Sequence, residues 1–216
     1  MLRNLLVAPA LLPFLAFFGF SSTAQPLVHG QSGQDEVKAA DPRASTTFAI
    51  DASHSAVLFR VTHLGAGVFW GRFNEIKGTF RIDDADLEGS FVKVTIPVES
   101  VDTNSEGRDK HLKGPDFFNA KEHPDLSFES SKVEKVGGKY RVHGALEIRG
   151  TKKDVVFDVE HNGTKKLSDR FGLRSGYEAV ATIDRTDFGV DYMSEGGALG
   201  KDVRIVLGIE GTVAKD

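Results

Sequence analysis

The sequence predicts an all-β domain, either a sandwich or a barrel, of about eight strands. Apolar and polar residues alternate in several segments, which is the pattern of strands with one buried face. Glycine-, asparagine- and aspartate-rich clusters separate these segments at short intervals, as turns do. Only one stretch, at positions 103–115, carries the signals of a helix, so the helical content is expected to be small.

Three segments show the alternation most clearly. Lysine and threonine occupy the opposite face of the second segment, so the apolar face there is expected to be the buried one. The apolar faces are Val57, Phe59 and Val61 in the first segment, Val92, Val94 and Ile96 in the second, and Val155, Phe157 and Val159 in the third.

Turn chemistry predicts where the strands end. Gly137-Gly138 lies between two alternating segments and predicts a β-hairpin. Gly150 and Asn162-Gly163 predict two further turns. The acidic stretch 83–90, with the sequence DDADLEGS, connects two other strand segments.

The one helical stretch has the sequence TNSEGRDKHLKGP. Asn104 or Ser105 suits the N-cap, and Gly114 followed by Pro115 is a typical stop. The spacing predicts a helix of about two turns. His111 lies near its end, where a structural hydrogen bond is the expected role.

The N-terminus has the pattern of a secretory signal peptide. Arg3 precedes an almost wholly apolar run from Leu5 to Phe20, and small residues lead to Ala24. The apolar run is shorter than the roughly 20 residues of a spanning helix. We therefore expect a signal peptide at 1–24, cleavage after Ala24, a periplasmic or secreted protein, and no membrane span after cleavage.

Cleavage would leave 192 of the 216 residues and, because Arg3 is lost, change the net charge from −4 to −5. An acidic chain argues against nucleic acid as a partner. Positions 25–44 are polar and aperiodic and predict a flexible leader, followed by one domain at 45–216. The chain has no cysteine, which excludes disulfides, thiolate metal sites and c-type haem attachment.

The sequence contains no motif for catalysis or metal binding. The histidines form no H-x-H or H-E-x-x-H pattern, and no G-x-S-x-G elbow occurs in the folded region. We therefore predict no catalytic residue, no metal ligand and no catalytic cofactor. Three alternatives stay open: a lipid-processing enzyme, a stress-related structural protein whose barrel fills itself, and a metal or haem binder. The metal or haem alternative would use His54, His63, His111 or His123.

Several aromatic residues lie beside glycines at apparently irregular positions. The adjacent pair Phe117-Phe118 is the most informative, because two neighbours on a regular strand point to opposite faces. On a loop, both rings can turn toward one cavity. The aromatic group therefore forms either a small core beneath a loop or the lining of an apolar pocket.

Four separated motifs resemble those of the YceI-like proteins. The stretch FAIDASHSAVLFRVTHLGAGVFWGRF at 48–73 contains Asp-x-x-His-Ser and Gly-x-Phe, and RDKHLKGPDFFNAKEHPDLSFES at 108–130 contains Arg-Asp-x-His-Leu and Phe-Phe. GALEIRG at 144–150 and ATIDRTDFGV at 181–190 resemble two later motifs. The pattern departs from the family at Glu147, at Asp154 and at an apparent insertion at 195–199.

The resemblance implies a lipocalin-like, eight-stranded antiparallel β-barrel with a short helix between strands. It also implies an apolar tunnel that holds an isoprenoid lipid, such as a polyprenol or an isoprenoid quinone, in a periplasmic binding protein that is not an enzyme. An eight-stranded barrel has room for one small ligand. Exposed edges or loops leave a homodimer open.

We assign the tunnel from the alternating faces and the aromatic group. Arg60 and His63 are the expected contacts for a polar head group. The residues expected to line or close the tunnel are Val57, Phe59, Val61, Phe69, Trp70, Phe73, Val94, Ile96, Phe117, Phe118, Phe128, Leu146, Phe157 and Phe188.

Overall fold

The computed structural model describes residues 41–215; the expected signal peptide and positions 25–40 of the expected leader lie outside the described residues. The helix α1 spans Glu106–Lys113. Within the described part, no helix is long and apolar enough to cross a membrane. The strands are β1 (Phe48–Ile50), β2 (Ala56–His63), β3 (Gly67–Phe73), β4 (Lys77–Arg81), β5 (Phe91–Pro97), β6 (Val101–Asp102), β7 (Asp125–Val136), β8 (Lys139–Ile148), β9 (Thr151–Lys166), β10 (Leu173–Asp184) and β11 (Leu199–Val213).

The strands form a closed antiparallel barrel with eight strand positions, as predicted. Three positions are each shared by two short strands: β1 with β2, β3 with β4, and β5 with β6. The strand β11 closes the ring, since it pairs with β2 along its first half and with β1 along its second. A turn of 3₁₀ helix at Ala52–His54 separates β1 from β2.

The barrel has two different ends. At the helix end lie α1, the β2–β3 hairpin, the β8–β9 turn and the β10–β11 connection. At the hairpin end lie the β7–β8 and β9–β10 hairpins and the β4–β5 connection. This polarity places the predicted helix and its Phe-Phe pair over one opening of the barrel.

Most of the predicted turns are present. Gly137 and Gly138 both have positive φ values and form the β7–β8 hairpin, and Gly150 has a φ of 72° in the β8–β9 turn. The predicted turn at Asn162-Gly163 is wrong. Strand β9 runs through it: Gly163 pairs with Gly176, and a register shift opposite Gly176-Tyr177 leaves Asn162 as the extra residue of a bulge.

The helix agrees with its sequence signals. Ser105 is the N-cap residue and Gly114 follows the last helical residue. The Phe118 N–H then donates to the Leu112 carbonyl at 3.0 Å, which folds the following turn back against the helix. His111 Nε2 lies 2.8 Å from an Asp116 carboxylate oxygen, so it makes a local hydrogen bond at the helix end.

One close approach shows how aromatic rings fit inside the barrel. Gly71 pairs with Phe59 across β2 and β3, and the Phe59 ring lies over it. A Cβ atom at position 71 would lie 2.2 Å from the Phe59 ring. The glycine is therefore required for the tip of the ring to approach the neighbouring strand this closely.

A buried arginine closes the hairpin end. Arg43 is 6% exposed. Its guanidinium donates to the Tyr140 hydroxyl at 2.8 Å and to Asp84 at 2.9 Å, and it pairs with Asp41. Positions 41–44, which the sequence assigned to the flexible leader, therefore belong to the folded domain, because a buried guanidinium needs these fixed partners.

The same network acts on the acid–base behaviour of Asp84. Burial by itself raises the pKa of this carboxyl group, but hydrogen bonds from Lys135, Tyr140 and Arg43 outweigh it and lower the pKa to about 2. The Lys135 and Tyr140 contacts are both 2.7 Å long. Asp84 is thus held ionised in the folded state.

We expect Asp84→Asn to lower the free energy of unfolding at neutral pH by roughly 1–2 kcal/mol, since it removes a charged acceptor from this network. A depressed pKa contributes stability that is present above the unfolded value of about 4 and is lost as pH falls toward 2. The difference between the two proteins should therefore shrink across that window in urea titrations. Glu88→Gln, an exposed acid in the same connection, is the control. An unchanged difference at low pH would contradict the assignment.

We expect Gly71→Val to cost roughly 1–3 kcal/mol in the free energy of unfolding, because the added side chain displaces the Phe59 ring. Urea unfolding followed by circular dichroism measures this. Gly67→Ala, on the same strand but with no atom closer than 3.9 Å to the added Cβ, should stay within about 0.5 kcal/mol of the parent. Equal losses in the two variants would show that the ring contact does not matter.

Candidate functional site

The barrel interior contains an apolar cavity of about 190 Å³. The wall is drawn from strands all around the ring and from the segment that follows α1. The lining residues with polar side chains are Ser127, Tyr177 and Arg185, and the Ser127 hydroxyl points to the outer face of β7, where it contacts Glu147. For scale, an apolar protein cavity of about 150 Å³ admits a benzene ring. The cavity can therefore take an apolar group but offers little that would recognise a polar one.

Most of the residues that the sequence assigned to the tunnel face this cavity. The alternation of β2 and the loop position of the Phe-Phe pair both place side chains as expected. The predicted residues on the cavity wall are Val57, Phe59, Val61, Phe73, Val94, Ile96, Phe117, Phe118, Phe128, Leu146 and Phe157.

Three of the predicted aromatic residues lie off the wall. Trp70 points outward and is 50% exposed, because β3 is a regular strand in which positions 69, 71 and 73 face inward. Phe69 faces the helix end, where the Arg108 guanidinium stacks on its ring at 4.2 Å. Phe188 is buried in the core at a 3₁₀ turn that follows β10. Glycines on both sides of the β3 aromatics had suggested an irregular segment there.

The two expected head-group residues also lie off the wall. Arg60 is on the outer face of β2, opposite the face formed by Val57 and Val61. His63 is exposed at the end of the same strand. Neither side chain is placed to contact a ligand inside the barrel.

The sequence reasoning missed the wall contributed by β10 and β11. Val203, Ile205 and Leu207 face the cavity at every second position, a pattern that the same test of alternation would have found. Ala179 on β10 faces the cavity too. The glycine-rich stretch before β11 had hidden where that strand begins.

Arg185 is the one charged residue on the described part of the wall, and no sequence signal pointed to it. It is 5% exposed. Its guanidinium donates to the carbonyl oxygens of Gly200, Val190, Tyr192 and Leu199 at 2.7–3.0 Å. Burial lowers the pKa of Arg185 from its usual range. The hydrogen bonds to carbonyl groups reduce the free-energy cost of burying its charge.

Those four hydrogen bonds do not use every donor. A guanidinium has five N–H groups, so these bonds leave one N–H without an acceptor among the described residues. The same bonds tie the 3₁₀ turn after β10 to the start of β11. Arg185 therefore shapes the helix end and places a charged group beside an apolar space.

Aromatic rings form two contact groups toward the helix end, one inside the barrel and one beside α1. Phe59 lies 5.6 Å from Phe73, and Phe73 lies 5.7 Å from Phe118. Phe117 packs beside the His111 ring at 5.0 Å. These geometries are tilted or edge-to-face, which aromatic pairs favour. Phe59, Phe73, Phe117 and Phe118 also line the cavity, so both groups contribute to its wall.

The histidines of the metal alternative do not converge. His54 hydrogen-bonds to Asp51 on the barrel exterior, while His111 bonds near α1. The one group of three candidate ligands in residues 41–215 is Asp51, His54 and Glu210. Arg174 Nη1 lies 2.6 Å from Asp51 and 2.8 Å from Glu210, so a guanidinium already occupies the position between the carboxylates.

The family model of the YceI-like domain matches residues 48–211. A UPF0312 protein of Pectobacterium atrosepticum is 35% identical, over 80% of this chain and 88% of that protein. One of Photorhabdus laumondii is 35% identical, over 77% of this chain and 85% of that protein.

Solved structures share the fold. A YCEI protein of Campylobacter jejuni superposes with a TM-score of 0.63 and 31% identity, covering 72% of this chain and 90% of that one. BcnA of Burkholderia cenocepacia gives a TM-score of 0.67 at 23% identity, over 76% of this chain and 99% of that one. A polyisoprenoid binding domain of Saccharophagus degradans gives 0.56 at 13% identity, over 78% of this chain and 99% of that one. With the matched profile covering the barrel from β1 to β11, the chain belongs to the YceI-like family.

Proposed function

We propose that this protein binds an isoprenoid lipid, either a polyprenol or an isoprenoid quinone, inside its barrel and performs no reaction on it. The observation that carries the proposal is the apolar cavity enclosed by the strands. A domain of the same fold from Saccharophagus degradans is described as polyisoprenoid binding, which supports this class of ligand.

The wall suits a hydrocarbon chain for a simple physical reason. Apolar surface gains about 25 cal/mol per Å² on leaving water, before the costs of association are subtracted. A branched isoprenoid tail has no polar group that would be left without a hydrogen-bond partner in such a cavity. Shape and length would then decide which tails fit.

A polar head group would lie at the helix end. The remaining Arg185 N–H is the candidate donor there. A quinone carbonyl or a prenol oxygen can accept from it. Arg185 thus replaces Arg60 and His63 as the proposed head-group contact.

Binding without catalysis fits the chemistry of the wall. The described lining carries no histidine, lysine or carboxylate, the side chains that most often act as general acids or bases. Ser127 Oγ lies 3.4 Å from a Glu147 oxygen, and a hydroxyl–carboxylate contact lacks the histidine base of the usual nucleophile arrangement. The proposal includes no catalytic cofactor; a quinone, if bound, is the ligand.

Native mass spectrometry of protein purified from its own compartment should show about one isoprenoid per chain, the capacity of a small barrel. Ala179→Phe adds a ring to the wall and should reduce the bound fraction at least several-fold. Glu178→Phe places the same ring on the exterior and is the matched control. A ligand-free parent protein, or equal loading of both variants, would refute the proposal.

We also propose export to the periplasm or the cell exterior, with removal of residues 1–24. Intact mass measurement of the exported protein should give a chain that begins at Gln25. Replacing apolar positions of the Leu5–Phe20 run with charged residues should keep the full-length precursor in the cytoplasm. A full-length chain outside the cytoplasm would contradict cleavage.

A further inference from the structure

The outer face of β3, β2 and β11 combines exposed apolar side chains with arginines. Trp70 is 50% exposed, and Val68 and Leu64 are 48% and 64% exposed. The outward positions of the same strands carry three arginines. We call this surface the Arg–Trp face; its residues are Leu64, Val68, Trp70, Arg60, Arg72 and Arg204.

The strand register brings the charges together. Arg60 lies directly opposite Trp70 on one side and directly opposite Arg204 on the other. Like charges in directly opposite positions of a sheet destabilise it. The chain is acidic overall, with a net charge of −4, so a concentration of positive charge on one face is not a general property of its surface.

These arginines lack carboxylate partners within the structure. Among residues 41–215, no acidic oxygen lies within 4.0 Å of the guanidinium groups of Arg60, Arg72 or Arg204. Asp102 is in register with Arg72 but accepts from the Asn104 N–H and the Asn74 amide. The charges of Arg60 and Arg204 are therefore free to meet an external anion, whereas that of Arg72 is partly compensated by the neighbouring Asp102 carboxylate.

The Arg–Trp face adjoins the helix end of the cavity. Leu64 lies at the tip of the β2–β3 hairpin, and its N–H donates to the Ala198 carbonyl. The next residue, Leu199, is on the cavity wall and pairs with His63. The exposed hairpin is thus hydrogen-bonded to the segment that carries a residue of the cavity wall.

We propose that the Arg–Trp face docks on a membrane surface that contains anionic phospholipids. Guanidinium groups bind phosphate oxygens through paired hydrogen bonds, and tryptophan is enriched at the interface between head groups and hydrocarbon. An exposed leucine at a hairpin tip adds apolar area that can enter the acyl boundary.

A membrane suits this face better than an acidic protein. The side chains project from the convex exterior of a barrel, whereas tight protein interfaces centre on well-packed pockets. A fluid layer of phosphate groups needs no matching shape. Docking on a membrane does not require a bound ligand. The proposed function explains only what docking would be for, namely the transfer of a lipid between the bilayer and the cavity.

The chain contains one tryptophan, Trp70, so its intrinsic fluorescence reports on this face alone. We expect its emission to shift to the blue with vesicles of phosphatidylcholine and phosphatidylglycerol, and not with phosphatidylcholine alone. High salt should reverse the shift because it screens exposed charges. Vesicle co-sedimentation gives the partition constant independently.

The double variant Arg60→Gln/Arg204→Gln should partition about 25-fold less, at about five-fold per arginine. The control Leu167→Ala/Phe171→Ala removes exposed apolar residues at the hairpin end and should bind as the parent does. Circular dichroism melting checks that both variants are folded.

The absence of a shift with anionic vesicles overturns the proposal, as does equal partitioning of the double variant and the parent. A dimer in native mass spectrometry that Arg60→Gln/Arg204→Gln dissolves would assign the face to self-association instead. Parent protein stripped of lipid is tested in parallel. Membrane binding by a protein that carries no isoprenoid would refute the proposed ligand and leave the docking proposal intact. A protein that carries isoprenoid but does not bind the vesicles would refute docking and leave the proposed ligand intact.

Discussion

Closure of the barrel through β11 is the constraint on which the rest of the structure depends. One long strand pairs with β2 along its first half and with β1 along its second, so the sheet has no free edge between its first and last strands. In a closed ring every second side chain must point inward. The apolar alternation of each strand is thereby converted into one enclosed apolar space.

That space is not filled by side chains, which has an energetic consequence. At about 24 cal/mol per Å³, an unfilled cavity of 190 Å³ corresponds to a loss on the order of 5 kcal/mol relative to a packed interior. Gly71 lets the Phe59 ring approach the neighbouring strand closely. An apolar ligand would recover part of this free energy, so lipid binding and stability would be linked.

A buried arginine lies at each end of the barrel, and the two arginines have different kinds of hydrogen-bond partner. At the hairpin end, Arg43 is neutralised by carboxylates and forms a fixed plug. At the helix end, Arg185 is held by neutral carbonyl groups and retains a donor and a net charge. The hairpin end is thus suited to closing the cavity, and the helix end to meeting a polar head group.

Local patterns in the sequence were sufficient for the elements and for much of the wall. Alternation placed Val57, Phe59 and Val61 inward, and the capping residues around α1 bounded it correctly, because both effects act between near neighbours in the chain. The orientation of Trp70 was also within reach of the alternation rule, had β3 been recognised as a regular strand. The aromatic pair Phe117-Phe118 was correctly placed because its loop position follows from the helix stop.

Only the tertiary structure decided which polar residues matter. Arg43 is hydrogen-bonded to Tyr140, which is far away in the sequence, and Arg185 is hydrogen-bonded to carbonyl groups of a folded loop. A residue pattern within one segment cannot predict contacts of this kind. The meeting of Arg60, Trp70 and Arg204 likewise arises from strand register. The sequence by itself thus determined the strands, the helix and the family motifs, since these depend on neighbouring residues. The volume of the cavity, its charged ends and the Arg–Trp face were decided by closure of the ring, which brings distant strands into contact.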